Sequence, residues 1–257
     1  MIEPFFFADK LFGIWRSTPD AKAADAKVAD AKTVWILAPP FAEEEKSARR
    51  TLTEIAFQFQ ARGEASLLFS FRGQGDSGGD FALVSLDDWQ ADLSSAIEEA
   101  KRRAPSAQVA LLGVRLGASL SLRVASKRDD VAKLILIEPL LSGRSFVAQQ
   151  LMRQKIRAQM TGASSVEAQV LGEDTKDLDG WPLGAKLKGD LQALDLGRES
   201  FELKSQTHVI QVGPKAEVAP PLRALSDKLN ARVEAVVMPP FWNLLDYSSP
   251  APLLARL

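Results

Sequence analysis

The chain has 257 residues, 46% hydrophobic and 25% charged, enough for one substantial core with an ordinary globular balance. A formal charge of −1 provides no overall field to draw nucleic acid or an acidic membrane. Zero cysteines exclude disulfides, thiol nucleophiles and cysteine–metal sites, and a single histidine excludes a multi-histidine metal site, so no metal or other cofactor is expected.

The first residues, MIEPFFFADKLFG, have no basic leader and too short an apolar run for a signal peptide. No stretch approaches the ~20 apolar residues of a membrane span, so a soluble, cytoplasmic protein is expected. FFFADKLFGIWRST predicts two short strands with a turn near Asp9 and Lys10. In PDAKAADAKVADAKT the tetrapeptide ADAK stands at 24–27 and 29–32. Only Val28 is large and apolar there, and the segment reads as a solvated linker.

A regular alternation follows. Strands are predicted at 33–40, 65–71, 108–114 and 132–139. Helices are predicted from Glu43 to Gly63, over 85–104, and from Leu116 to about Ser126. Near-continuous apolar strands between amphipathic helices predict an α/β fold with a mostly parallel sheet, covered by helices on both faces. Residues 144–200 interrupt the rhythm with a helix, RSFVAQQLMRQKIRAQM, then a Gly/Asp-rich stretch, GEDTKDLDGWPLG, and AKLKGDLQALDL. The alternation resumes with a strand at 207–213, a helix at 221–231 and a strand at 232–239. The division expected is a core of 1–143 and 201–257 with an inserted helical cap at 144–200.

Two glycine motifs carry the chemistry. FRGQGDSGGDF (71–81) follows a strand, and Gly73, Gly75, Gly78 and Gly79 are expected to permit a sharply turning loop with positive φ. No Gly-Lys-Ser/Thr follows, which argues against a nucleotide-binding loop. In LLGVRLGASL, Gly113 and Gly117 flank Arg115 at a predicted strand-to-helix turn, the arrangement of a nucleophile elbow. The apex should hold a nucleophile, and arginine is not one. The alternative is that these are packing glycines and Arg115 simply reaches solvent.

A serine nucleophile also needs a base and an orienting acid. The loop after the last strand, PPFWNLLDY, has no histidine; His208 starts a strand, at the edge opposite to where ligands bind. Glu217 falls near where the acid of a triad is sought, with Glu138 a second candidate. Ser70, Ser77, Ser119 and Ser142 lie near strand ends, but a Ser-Lys pair would require Lys46 or Lys155 to reach in. In APPFAEEEK the two prolines lack N–H groups, so only Phe41 and later amides can donate toward an oxyanion. Glu43, Glu44 and Glu45 suit a helix start, and Glu43, Glu44 or Glu138 is the expected partner of Arg115. The helix at 144–160 carries Arg144, Arg153, Lys155 and Arg157 without an acid. Phe146, Val147, Leu151, Met152, Ile156 and Met160 recur near helical spacing, which predicts one packed and one wet face.

Six stretches now stand in order along nearly the whole chain: PFFF at 4–7, PPFAEE at 39–44, GQGDSGGDF at 73–81, GVRLGA at 113–118, LLSGRSFVAQQLMR at 140–153 and PPFWN at 239–243. With them the sequence resembles the α/β-hydrolase superfamily and, within it, the exosortase A system-associated hydrolases of the second type. It departs from that pattern at 45–48, EKSA. The resemblance implies an α/β-hydrolase fold, an arginine shared at the elbow, and a link to bacterial exopolysaccharide or protein-sorting components as partners.

The reading that follows is a hydrolase-fold protein without the Ser-His pair, binding an anionic small molecule or partner. The expected ligand-binding residues are Arg115, Leu116, Pro40, Phe41, Glu43, Glu44, Ser142 and Trp242. Two alternatives stand beside it. One is an active esterase or acyl-transfer enzyme with a displaced nucleophile; the other is an interaction protein docking through the basic cap.

Overall fold

The computed structural model of the chain describes residues 1–18, 31–161, 175–178, 180–244 and 246–257. Most of the ADAK segment lies outside the described residues, and its reading as a linker with it.

β1 (Ile2–Phe7) and β2 (Leu11–Arg16) pair antiparallel around Ala8, Asp9 and Lys10, all at positive φ. β2 then pairs antiparallel with β4 (Ala65–Phe69). From there the sheet is parallel through β3 (Thr33–Ala38), β5 (Gln108–Val114), β6 (Val131–Ile137), β9 (Gln206–Gly213) and β10 (Arg232–Val237). The order across the eight strands is β1-β2-β4-β3-β5-β6-β9-β10. β3 and β4 are buried along their whole length, as strands covered on both faces must be.

The sheet separates two cores. On one side α2 (Leu86–Arg103) and α3 (Leu116–Ala125) pack through Trp89, Leu93, Ile97 and Leu120. On the other, α1 (Glu43–Ala61) lays Leu52, Ile55 and Phe59 on Leu37, Leu68 and Leu112, and the C-terminal turn α7 (Ala251–Leu254) joins it through Leu253. α6 (Pro220–Lys228) connects β9 to β10. Ser85 opens α2 with a capping box to Asp88, which fixes where that helix starts.

Between β6 and β9 lie α4 (Gly143–Thr161), the hairpin β7 (Lys176–Leu178) and β8 (Trp181–Leu183), and α5 (Ala185–Ala193). They continue the first core through Phe146, Val147, Leu178, Leu183, Leu187 and Leu191. The Gly/Asp-rich stretch thus contains a hairpin, turned at Gly180 with φ 92° and anchored by Trp181 against Phe81 at 4.9 Å. Phe146 and Val147 of α4 are buried, but Met152 and Ile156 are 59% and 49% exposed, so its apolar residues do not share one packed face. The side chains of Arg157 and Met160 lie outside the description. Gly73, Gly75 and Gly79 take positive φ, whereas Gly78 does not. Gly78 is instead small because Lys10 packs over it, 3.0 Å from where a Cβ would stand.

Candidate functional site

The connections leaving three neighbouring strands each hold a non-glycine residue at positive φ: Ala42 (49°) at the start of α1, four residues after β3, and Arg115 (55°) and Glu138 (46°) directly after β5 and β6. Such conformations cost of order 1–3 kcal/mol each and persist only where the surroundings over-determine them. At the elbow that determination is visible. Arg115 donates its N–H to Ile137 O at 2.9 Å. A Cβ on Gly113 would lie 2.5 Å from Ala118 Cα, and one on Gly117 2.3 Å from the carbonyl oxygens of Ala38 and Pro39. The start of α3 is pressed against both β5 and the exit of β3, and only glycine fits at either position.

The Arg115 side chain crosses to α1. Its Nε and Nη2 face the two carboxylate oxygens of Glu44 at 3.4 and 3.5 Å, a parallel but long pairing. The rings of Trp242 and Phe146 stand 5.3 and 6.0 Å from the guanidinium centre. Burial pushes the Glu44 carboxyl above its usual range, and the charge of Arg115 pulls it back. The other two carboxylates considered as partners are engaged elsewhere. Glu43 pairs with Lys46 at 3.5 Å, and Glu138 accepts from Val212 N–H at 2.9 Å. Burial raises the Glu138 carboxyl too.

Ala42, in the loop that would supply an oxyanion amide, gives its N–H to the side-chain oxygen of buried Gln74 at 2.5 Å. Gln74 is held by the glycine loop, itself tied down by Arg72, which binds Asp92 at 2.6 and 2.8 Å and Asp88 at 3.1 Å. The serines near the strand ends are likewise occupied. Ser70 Oγ donates to Glu45, Ser77 Oγ to Ser70 O, and Ser119 Oγ to Leu140 O, while Ser142 Oγ accepts from Ser145 N–H.

Beside Glu44 opens a cavity of about 360 Å³. Phe41, Glu43, Glu44 and Trp242, all singled out from the sequence, line it; Arg115 is not a lining residue but stands behind two of them, Glu44 and Trp242. Pro40, Leu116, Ser142 and Glu138 do not line it, and Glu217 is exposed in the loop after β9. Ala42, Ser47, Gln150, Arg153, Leu178 and Asn243 complete the lining without having been foreseen as such. Arg153 donates to Asn243 Oδ1 at 3.1 Å, joining α4 to the loop after β10. The acid-free run of α4 was the available signal for Arg153, but which of its arginines turns inward is a matter of tertiary packing. His208 lies far from this edge. Its Nε2 is 2.8 Å from Glu234, and burial holds its pKa below the usual imidazole value.

A mostly parallel eight-stranded sheet, helices on both faces and a strained strand-to-helix elbow at its centre define an α/β-hydrolase fold. Residues 45–242 match the family described as Serine aminopeptidase, S33, and the chain belongs to that family. Among solved structures, the esterase of Pyrococcus furiosus superposes with a TM-score of 0.62 at 14% identity, over 100% of this chain and 87% of the esterase. Est1E from Butyrivibrio proteoclasticus gives 0.63 at 14%, over 95% and 91%. An alpha-beta serine hydrolase homologue from Coxiella burnetii gives 0.55 at 19%, over 92% and 86%. At such identities these likenesses concern the fold. No curated protein matches the sequence. Among the described residues no helix is long and apolar enough to cross a membrane.

Proposed function

We propose that this hydrolase-fold protein does not work as a serine hydrolase and instead binds an anionic group at Arg115. The observation that carries the reading is the guanidinium at the apex of the elbow, steadied by Glu44 at the edge of the cavity. The pairing with Glu44 engages one N–H of Nε and one of Nη2, leaving three of the five guanidinium N–H groups for a carboxylate or phosphate. Arg153 supplies a second cation at the cavity wall. Three features argue against covalent catalysis: no nucleophile at the apex, no imidazole at this edge of the sheet, and an Ala42 amide already bonded to Gln74. The insert at 144–200 acts as the cap, contributing Gln150, Arg153 and Leu178 to the lining.

The resemblance to exosortase A system-associated hydrolases supports a ligand or partner drawn from exopolysaccharide or protein sorting. The exposure of Met152 and Ile156, one helical turn apart on acid-free α4, favours a second reading in which the cap docks an anionic partner. The test of the first reading is calorimetric titration with small monocarboxylates. Saturable binding lost in Arg115→Ala supports it; equal binding by that variant refutes it.

A further inference from the structure

At the other edge of the sheet, where the parallel strands begin, a separate cavity of about 540 Å³ opens between the end of α1, β6, β9, β10 and the last residues of the chain. We propose that this cavity is a second binding site, for a multivalent oxyanion such as a phosphate group, with His208 on its wall.

Four cationic side chains converge on it from separate elements: Arg62 after α1, Lys133 on β6, Arg232 on β10 and Arg256 after α7. The carboxylates that face them are heavily shared. Glu234 alone receives His208 at 2.8 Å, Arg232 at 2.9 Å and Arg256 at 3.5 Å. Glu64 accepts from Trp35 Nε1 at 3.0 Å. Among the described residues neither Arg62 nor Lys133 has a carboxylate within ion-pair distance. Four cationic side chains thus face two side-chain carboxylates, Glu64 and Glu234. Trp35 and Ile135, buried in the second core, form the apolar floor beneath these side chains. Three guanidinium groups, an ammonium and an imidazole around one space match the several acceptor oxygens of a phosphate-like group better than a single carboxylate.

The site should be linked to protons. His208 faces Arg232 and Glu234 on β10, Lys133 on β6, Arg62 and Glu64 at the end of α1, and Arg256. Burial first, and then the charge of Arg232, keep its imidazole neutral against the pull of Glu234. A dianion in the cavity favours the imidazolium, so by reciprocity it binds more tightly as the pH falls through the His208 pKa.

Because His208 is the only histidine, its ring resonances in a proton–carbon NMR spectrum report this cavity alone. Sulfate is the probe for the pH arm, since it stays a dianion throughout. Phosphate and pyrophosphate test the class of ligand, and chloride at matched ionic strength is the control. We expect a saturable shift of the His208 resonances with sulfate. We also expect the His208 pKa to rise by about half a unit, equivalent to about threefold tighter binding at acid pH. Arg62→Gln with Lys133→Gln should abolish the shift; if that pair lowers Tm, Lys133→Gln alone should weaken it. Arg115→Ala should leave it intact, which separates this site from the elbow. A shift that grows linearly without saturation, that chloride reproduces, or that survives the substitutions in folded protein overturns the proposal.

Discussion

Arg115 keeps its strained backbone because the main-chain bond to Ile137, the two flanking glycines and the pairing with Glu44 all favour the same geometry. Those restraints lie mostly in the backbone, so the side chain can be exchanged without losing the turn. Arg115→Ser should therefore fold and still show no turnover of short-chain p-nitrophenyl esters and no fluorophosphonate labelling. Arg115→Ser with Trp242→His supplies a base as well and is the better rescue, though Gln74 still holds the Ala42 amide. Esterase activity in the single variant, above a heat-killed control, would mean that a base exists which the structure does not bring to the elbow. Glu45 offers a different kind of test. Burial pushes its carboxyl up to about 7, with Ser70 and Arg49 opposing the rise. Between the unfolded value of 4.5 and this one, the folded state holds a proton that the unfolded state lacks. Its contribution to stability is thus complete below pH 4.5 and is lost as pH rises through about 7. The difference amounts to roughly 3 kcal/mol. Urea unfolding at pH 5 and pH 8 should show Glu45→Gln losing less stability than wild type over that interval. Comparing the two proteins removes the part due to His208, whose lowered pKa makes stability rise with pH instead.

At the scale of elements, the close contacts around the elbow are brittle. Gly117→Ala drives a methyl into the carbonyls of Ala38 and Pro39, which are backbone and cannot rotate away. Forcing β3 and α3 apart should cost at least about 1–3 kcal/mol, visible as a lowered Tm. The glycine loop depends on its clamp in a similar way. Arg72→Ala leaves the Asp92 carboxylate, 1% exposed, without its ion partner, a loss of about 3–5 kcal/mol by chemical denaturation. Asp92→Asn should cost less, because Arg72 retains Asp88 and is 40% exposed. The long elements were legible in the sequence for a plain reason. Strands such as β3 and β4 are apolar throughout, and helices such as α2 repeat their core residues over four turns. The β7–β8 hairpin was not legible, since three-residue strands carry no period to recognise. Nor was the split of α4, where Phe146 is buried and Met152 is exposed. Six of the ten residues lining the cavity escaped for the same cause. Arg153 and Asn243 are 90 residues apart, and only the finished fold brings them together.

At the scale of the whole molecule, the strand order separates local from late contacts. β3 to β6 lie within residues 33–137 and are adjacent in space, with α1, α2 and α3 as their crossovers. β9 pairs with β6 only after the intervening α4, β7, β8 and α5 have been passed, joining Lys133–Ile137 to Gln206–Ile210. A chain cut after residue 200 would keep the four central strands but leave the β6 edge open, with Leu134 and Leu136 beside it uncovered. Such a fragment should self-associate, and size-exclusion chromatography with light scattering should show higher species where the full chain gives one peak. The same order has a consequence during synthesis. The central block can collapse while the insert is still being translated, but its β6 edge then waits unpaired for nearly seventy residues. At a ribosomal pace of about 5–20 residues per second that interval lasts several seconds, long enough for edge-to-edge encounters between neighbouring nascent chains on one messenger. The yield of folded protein should therefore depend on the speed of translation through the insert, with slow codons between 138 and 205 lowering it.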